Sequence, residues 1–192
     1  MKLSHNILIN RLPDSVKVNG TEIAINTDFR FCLKTILAFE NNELTEEEKI
    51  YILLMNMYGA IPTEHIQEYI DKAIWFLNCC EDEPKDAKEN PRLYSFEKDS
   101  KYIYAAMKQS VGFDFNKEIH WWDFINAFMS LDNESFFSKI IHLRNKKRKG
   151  KLTKEELNYY RENADILELE EDVTYEENEK LLEFKKLLKE SD

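Results

Sequence analysis

The sequence predicts a mainly α-helical protein, a multi-helix bundle with a β-hairpin near its N-terminus. Three observations carry this. The 192 residues include only four glycines and four prolines, too few breakers for a many-stranded sheet. From Leu93 to Leu143 the apolar and aromatic residues recur every three to four positions, as on one face of a helix. Near the start, Val16-Lys17-Val18 and Thr21-Glu22-Ile23-Ala24-Ile25 flank Asn19-Gly20, the two-residue signal of a type I′ turn.

A hairpin alone is marginal in water, so this one is expected to pack on the helices, with Ile7–Ile9 available as a third strand. Thr27 or Asp28 then caps a helix carrying Phe29, Leu33, Ile36, Leu37 and Phe39, which stops at Asn41-Asn42. Thr45 and Glu48 form a capping box for a second helix, with Ile50, Leu53, Leu54 and Met57, ended by Gly59. Pro62-Thr63-Glu64 starts a third, with Ile66, Ile70, Ala73, Ile74 and Leu77 inward. Residues 81–91 contain Pro84 and Pro91 and have no apolar period; they read as a mobile linker.

Three amphipathic helices follow. Their faces are Phe96, Ile103 and Met107; then Trp121, Phe124, Ile125 and Phe128; then Phe136, Phe137, Ile140 and Ile141. Such short helices are stable only when packed together, so they form the core. The sequence thus divides into a helical core with its hairpin and linker, 1–145, and a polar helical extension, 146–192. In the extension Thr153 opens a helix with Leu157, Tyr160, Ala164 and Leu167 on one face. An acidic run follows from Glu168 to Asp172, and a last helix carries Leu181, Phe184 and Leu188. These narrow apolar stripes suit docking on a partner helix or on the body of the protein.

Composition narrows the function. The formal net charge is -10, which disfavours general affinity for nucleic acid or anionic membranes. No apolar run approaches the roughly 18 residues that span a bilayer, and no signal peptide opens the chain. Cys32, Cys79 and Cys80 read as free thiols of a reducing cytoplasm. His5, His65, His120 and His142 are scattered, none lies three or four residues from another His or a Cys, and His120 with Asp123 on one helix face would supply only two ligands, too few for a metal site. A phosphate loop ending at Gly150-Lys151 would need glycine at position 145, which is Asn145. The Glu46-Glu47-Glu48 run sits in a first helical turn, where acids complement the dipole. The sequence therefore predicts no enzyme and no cofactor.

Two clusters hold candidate contact residues. Arg144, Lys146, Lys147, Arg148, Lys149 and Lys151 crowd around Gly150. The plainest reading is a solvated helix C-terminus; a second pairs them with the acids near Glu170, and a third gives them an anion to grip. Trp121 and Trp122 project about 100° apart on a helix, so at most one is expected in the deepest core. The other is free to anchor an interface, although core packing of the pair outweighs that reading.

Several blocks resemble a known family. They are Ile7-Leu8-Ile9-Asn10-Arg11-Leu12-Pro13-Asp14-Ser15-Val16, Val18-Asn19-Gly20, Ile25-Asn26-Thr27-Asp28-Phe29-Arg30, Trp75-Phe76-Leu77-Asn78-Cys79, Tyr94-Ser95-Phe96-Glu97-Lys98-Asp99 and His120-Trp121-Trp122. In this order they are similar to the bacteriophage gene-product-fifteen family of tailed phages and prophages in Gram-positive bacteria, over about residues 6 to 145. The resemblance implies a non-enzymatic role in virion morphogenesis in the cytoplasm of the bacterial host. It implies a tail assembly chaperone whose partners are the tape-measure protein and the tail tube protein, with homo-oligomers unsurprising. The partner-binding candidates are Trp121, Trp122, Leu157, Tyr160, Leu167, Leu181, Phe184 and Leu188. Two rival readings remain: a nucleic-acid-associated phage factor using 144–151, and a structural tail or connector subunit.

Overall fold

Asn19 and Gly20 take φ angles of 47° and 76°, the pair of positive values that a type I′ turn requires. They join strands β1 (Ser15–Val18) and β2 (Thr21–Ala24), which pair antiparallel with Val16 opposite Ile23 and Val18 opposite Thr21. The computed structural model describes residues 7–80 and 92–169. The expected linker at 81–91, and the last predicted helix with Leu181, Phe184 and Leu188, lie outside them. Among the described residues the sheet has two strands. The expected third strand does not form, and Ile7, Leu8 and Ile9 lie in an exposed turn. Three apolar residues in a row lack the alternation that would give a strand one buried face.

The first three helices follow the hairpin. In α1 (Phe29–Glu40), the Asp28 carboxylate accepts from the Arg30 amide at 2.8 Å. In α2 (Glu46–Tyr58), both halves of the Thr45/Glu48 box form, and Gly59 closes the helix at φ 72°. Helix α3 (Ile66–Leu77) starts later than Pro62 would suggest, after His65 at φ 54°. Had Pro62 been the first helical residue, Ile61 would have been the cap, and it has no side-chain acceptor to offer. The turn of the hairpin is tied to α3 instead, because the Asn19 amide donates to Glu68 at 3.0 Å.

The later helices are α4 (Ser100–Val111), α5 (Trp121–Met129), α6 (Phe136–Arg148), α7 (Lys154–Glu162) and α8 (Ala164–Leu167). Phe96 therefore precedes α4 in a turn, although it still packs on the core. The single face expected from Leu157 to Leu167 is split at Asn163, which breaks α7 from α8. Helix α6 runs unbroken through positions 145 and 146, where the sequence divides into core and extension.

One core joins the parts on either side of 81–91. It runs from Val16 and Val18 through Met57 and Phe76 to Met107, Phe124 and Phe137. Phe29 of α1 stacks on Phe124 of α5 at 5.0 Å between centroids, and Trp121 stacks on the same ring at 5.4 Å. The Trp121 amide donates to Thr27 O at 2.7 Å and the Phe29 amide to Ile119 O at 3.0 Å, so the starts of α1 and α5 are sewn together. His120 caps α5: its Nδ1 accepts from the Trp122 amide at 3.1 Å, which leaves Nε2 to donate to Pro13 O at 3.0 Å. A smaller cluster of Ile140, Tyr160 and Leu167 seals α7 and α8 against α6.

Candidate functional site

Part of the apolar surface left over by this packing lies around α6; the rest is spread over residues 7–9 and the surfaces of α1 to α4. Ser135 caps the helix, accepting from the Ser138 amide at 3.1 Å, and the Ser138 hydroxyl donates to Asp132 O at 2.8 Å. Phe137, Ile140 and Arg144 face inward, and Phe136 is left 49% exposed. Between α6 and the α7–α8 pair lies a groove of about 620 Å3. Its base is Ile140 and Leu167; Phe136, Leu143, Tyr159 and Ile166 form its apolar sides, with Glu134, Lys139 and Asn163 at the rim. On the other flank of α6 lies a second hollow of about 340 Å3 lined by Phe128, Met129, Leu131 and Ile141. Asn133, Ser138 and His142 border both. An exposed ridge with an apolar groove on one side and a hollow of mixed polar and apolar lining on the other suits an amphipathic helix laid along it.

Arg144 sits beneath this surface. Its guanidinium reaches Asp99 through Nη1 at 2.6 Å and Nη2 at 2.9 Å. It also donates to Leu167 O, Ile166 O and Leu93 O at 2.9, 2.9 and 3.0 Å. Five donors meet five acceptors, the full capacity of the group. Asp99 in turn accepts from the Ser95 amide at 3.0 Å.

The expected basic patch is therefore divided. Arg144 is withdrawn from any exposed anion contact, because its side chain is only 4% exposed. Lys146 is held by Glu156 at 2.6 Å. That bond, with the Thr153 amide beside it, keeps the Glu156 carboxyl below the usual range. Lys147 meets Glu168 at 3.1 Å and lies over the Tyr160 ring at 4.5 Å, so the acidic run begins against this basic helix end, inside the chain. The Lys98 ammonium also donates to Glu168 O. Arg148 donates to Asn145 at 3.3 Å, and Lys149 and Lys151 are exposed.

The tryptophans follow the favoured reading, in which the pair packs in the core, and not the one that leaves an interface anchor. Both are buried, Trp121 at 2% and Trp122 at 1% exposure, so neither presents an anchor to a partner. The start of α5 is enclosed by α1 on one side and the end of α3 on another. The indole N–H groups donate to Leu77 O at 2.9 Å and Phe76 O at 2.8 Å, carbonyls of the last turn of α3, and Phe76 O also accepts from the Cys79 amide at 3.1 Å. Tyr160 and Leu167 also turn inward, with the Tyr160 hydroxyl donating to Leu167 O at 2.8 Å, and Leu157 is half-buried. The exposed apolar residues that border the two hollows are Phe136, Tyr159 and Met129. Sequence reasoning missed these. The doublets Phe136-Phe137 and Tyr159-Tyr160 held the signal, since two adjacent helical residues rarely share one face.

Among the described residues no three His, Cys, Asp or Glu side chains are placed to hold a metal ion, and no helix is long and apolar enough to cross a membrane. A family model described as Bacteriophage Gp15 protein matches residues 8–169. The match runs past the 6–145 span of the sequence resemblance and takes in α7 and α8. No curated protein and no solved structure matches.

Proposed function

Because the chain belongs to the bacteriophage Gp15 protein family, we propose that it serves phage morphogenesis as a tail assembly chaperone that binds the tape-measure protein. Family membership itself suggests a structural or morphogenetic role in the phage. The finer reading is supported by the surface around α6. Phe136, Tyr159 and Met129 stand 49%, 46% and 78% exposed beside an apolar groove and a second hollow of mixed lining, where an amphipathic helix of a partner has both a ridge and grooves to meet. The action is binding rather than catalysis, in the cytoplasm of a Gram-positive host. The nucleic-acid reading loses support because Arg144, Lys146 and Lys147 already have acidic partners.

Co-expression with the tape-measure protein of the same phage tests this. The expected result is a soluble tape measure that co-elutes with this chain on size exclusion. Phe136→Glu and Tyr159→Glu should each weaken the association by about tenfold or more, as loss of an aromatic anchor does. A tape measure that precipitates while this chain elutes alone would reject the chaperone role. Finding the chain in purified particles would favour a structural subunit instead.

A further inference from the structure

We propose that the open edge of β2 pairs with the same edge of a second copy, so that two hairpins form one four-stranded antiparallel sheet. Along a hairpin, opposite residues alternate between pairs that bond to each other and pairs that turn their amides and carbonyls outward. The Ile25 amide donates to Asp14 O at 3.0 Å, which fixes the phase. Val16 with Ile23 and Val18 with Thr21 are bonded pairs, and Glu22 and Ala24 point their backbone groups away from β1. Among the described residues no hydrogen bond reaches the backbone of either. Thr21, Glu22 and Ala24 are exposed, whereas β1 buries Val16 and Val18 and packs beside α3. Just past Ala24 the edge closes, because the Asn26 amide donates to Met57 O at 2.8 Å. A bare sheet edge is a template for another strand, and a two-stranded sheet is the marginal case that gains by one.

Charge selects the second copy and its register. Across a two-fold axis the outward groups of Glu22, Ala24 and Asn26 can meet in three ways. Glu22 opposite Glu22 sets two carboxylates together, which is destabilising. Ala24 opposite Ala24 calls on Asn26, whose amide is already taken. With Ile23 opposite Ile23, Glu22 meets Ala24 of the second copy at both ends, and all the outward groups of the open edge are bonded. On the outer face each carboxylate then lies between its own Lys17 and a neutral alanine. On the inner face the two Ile23 side chains meet beside a groove of about 450 Å3 lined by Ile61, Pro62 and Tyr69. Ile61 is 42% exposed, an apolar side chain for the second copy to cover. So short an edge buries less than a standard interface, and the dimer is weak, with a dissociation constant on the order of 100 µM. None of these residues borders the hollows beside α6, so the inference stands apart from the tape-measure reading.

Sedimentation equilibrium of the full chain tests it, with amide exchange by NMR as the local readout. A dimer should form as the concentration rises through about 100 µM. Ala24→Pro removes an outward amide and leaves the bonds within the hairpin in place; it should weaken the dimer about tenfold or more. Two further changes at the same position carry the test if that proline unsettles the fold. Ala24→Lys puts a cation opposite Glu22 and should tighten the dimer about fivefold, whereas Ala24→Glu should weaken it by about as much. The Glu22 and Ala24 amides should exchange quickly in dilute protein and slowly in concentrated protein, while Thr21 and Ile23 stay protected in both. A chain still monomeric at about 1 mM overturns the proposal, and so does a dimer indifferent to all three variants. Protection of Glu22 and Ala24 in the monomer would mean that another part of the chain covers the edge, which overturns it too.

Discussion

Cys32 is fully buried in the core. Burial pushes its thiol far above the usual range, and the nearby Asp28 carboxylate adds to the rise. Only the thiolate reacts readily, so Cys32 should resist iodoacetamide at pH 8 in the folded chain and alkylate once urea unfolds it. Peptide mass mapping of the alkylated sites checks this, and rapid labelling of Cys32 under native conditions would contradict its burial. At this scale the sequence was a mixed guide. Adjacent residues on a helix face different ways, and that rule correctly divides Phe137 from Phe136 and Tyr160 from Tyr159. It fails for Trp121 and Trp122 because the start of α5 is packed from more than one side. Arg144 was illegible. Within a run of cations it reads as solvated, and its acceptor Asp99 lies 45 residues away.

Helix ends were the most legible elements, because a cap is a local event between a side chain and amides two or three residues on. Asp28, Thr45 with Glu48, Thr153 and Gly59 all act as their sequence contexts predict. The start of α3 and the break at Asn163 were not legible, since each depends on neighbours distant in the chain. Gly59 allows a clean measurement. It sits at φ 72°, and a Cβ there would meet nothing within 4 Å, so any penalty for alanine is backbone strain. Gly59→Ala should cost about 1 kcal/mol, lowering Tm by about 3 °C for a chain of this size. Gly59→Asn should cost less, because asparagine tolerates the left-handed region. Equal losses in calorimetry would show that something other than backbone geometry is at stake.

At the scale of the whole molecule, the Arg144–Asp99 pair binds the α7–α8 layer to the body. One guanidinium gathers carbonyls from Leu93, Ile166 and Leu167 around a buried carboxylate. Arg144→Met leaves Asp99 uncompensated and should cost about 3–5 kcal/mol. Adding Asp99→Asn removes the stranded charge, so the double variant should lose less than the sum of the singles. It should still fall short of the native protein by about 1–3 kcal/mol, because the three carbonyls lack their donor. Urea unfolding of the four proteins measures the coupling, and simple additivity would deny the pair its role. That the hairpin and the aromatic helices share one core could not be read from spacing, because the bonds that join them cross long stretches of sequence.

His120 donates to Pro13 across 107 residues, and this has a consequence for the order of events during synthesis. A ribosome adding about 5–20 residues per second needs roughly 5 to 20 s to travel that distance. For that interval Phe29 exists without the α5 ring of Phe124 that later stacks on it. The first segment to emerge is therefore among the last to be shielded. The nascent chain shows other molecules an apolar face that the finished protein never presents.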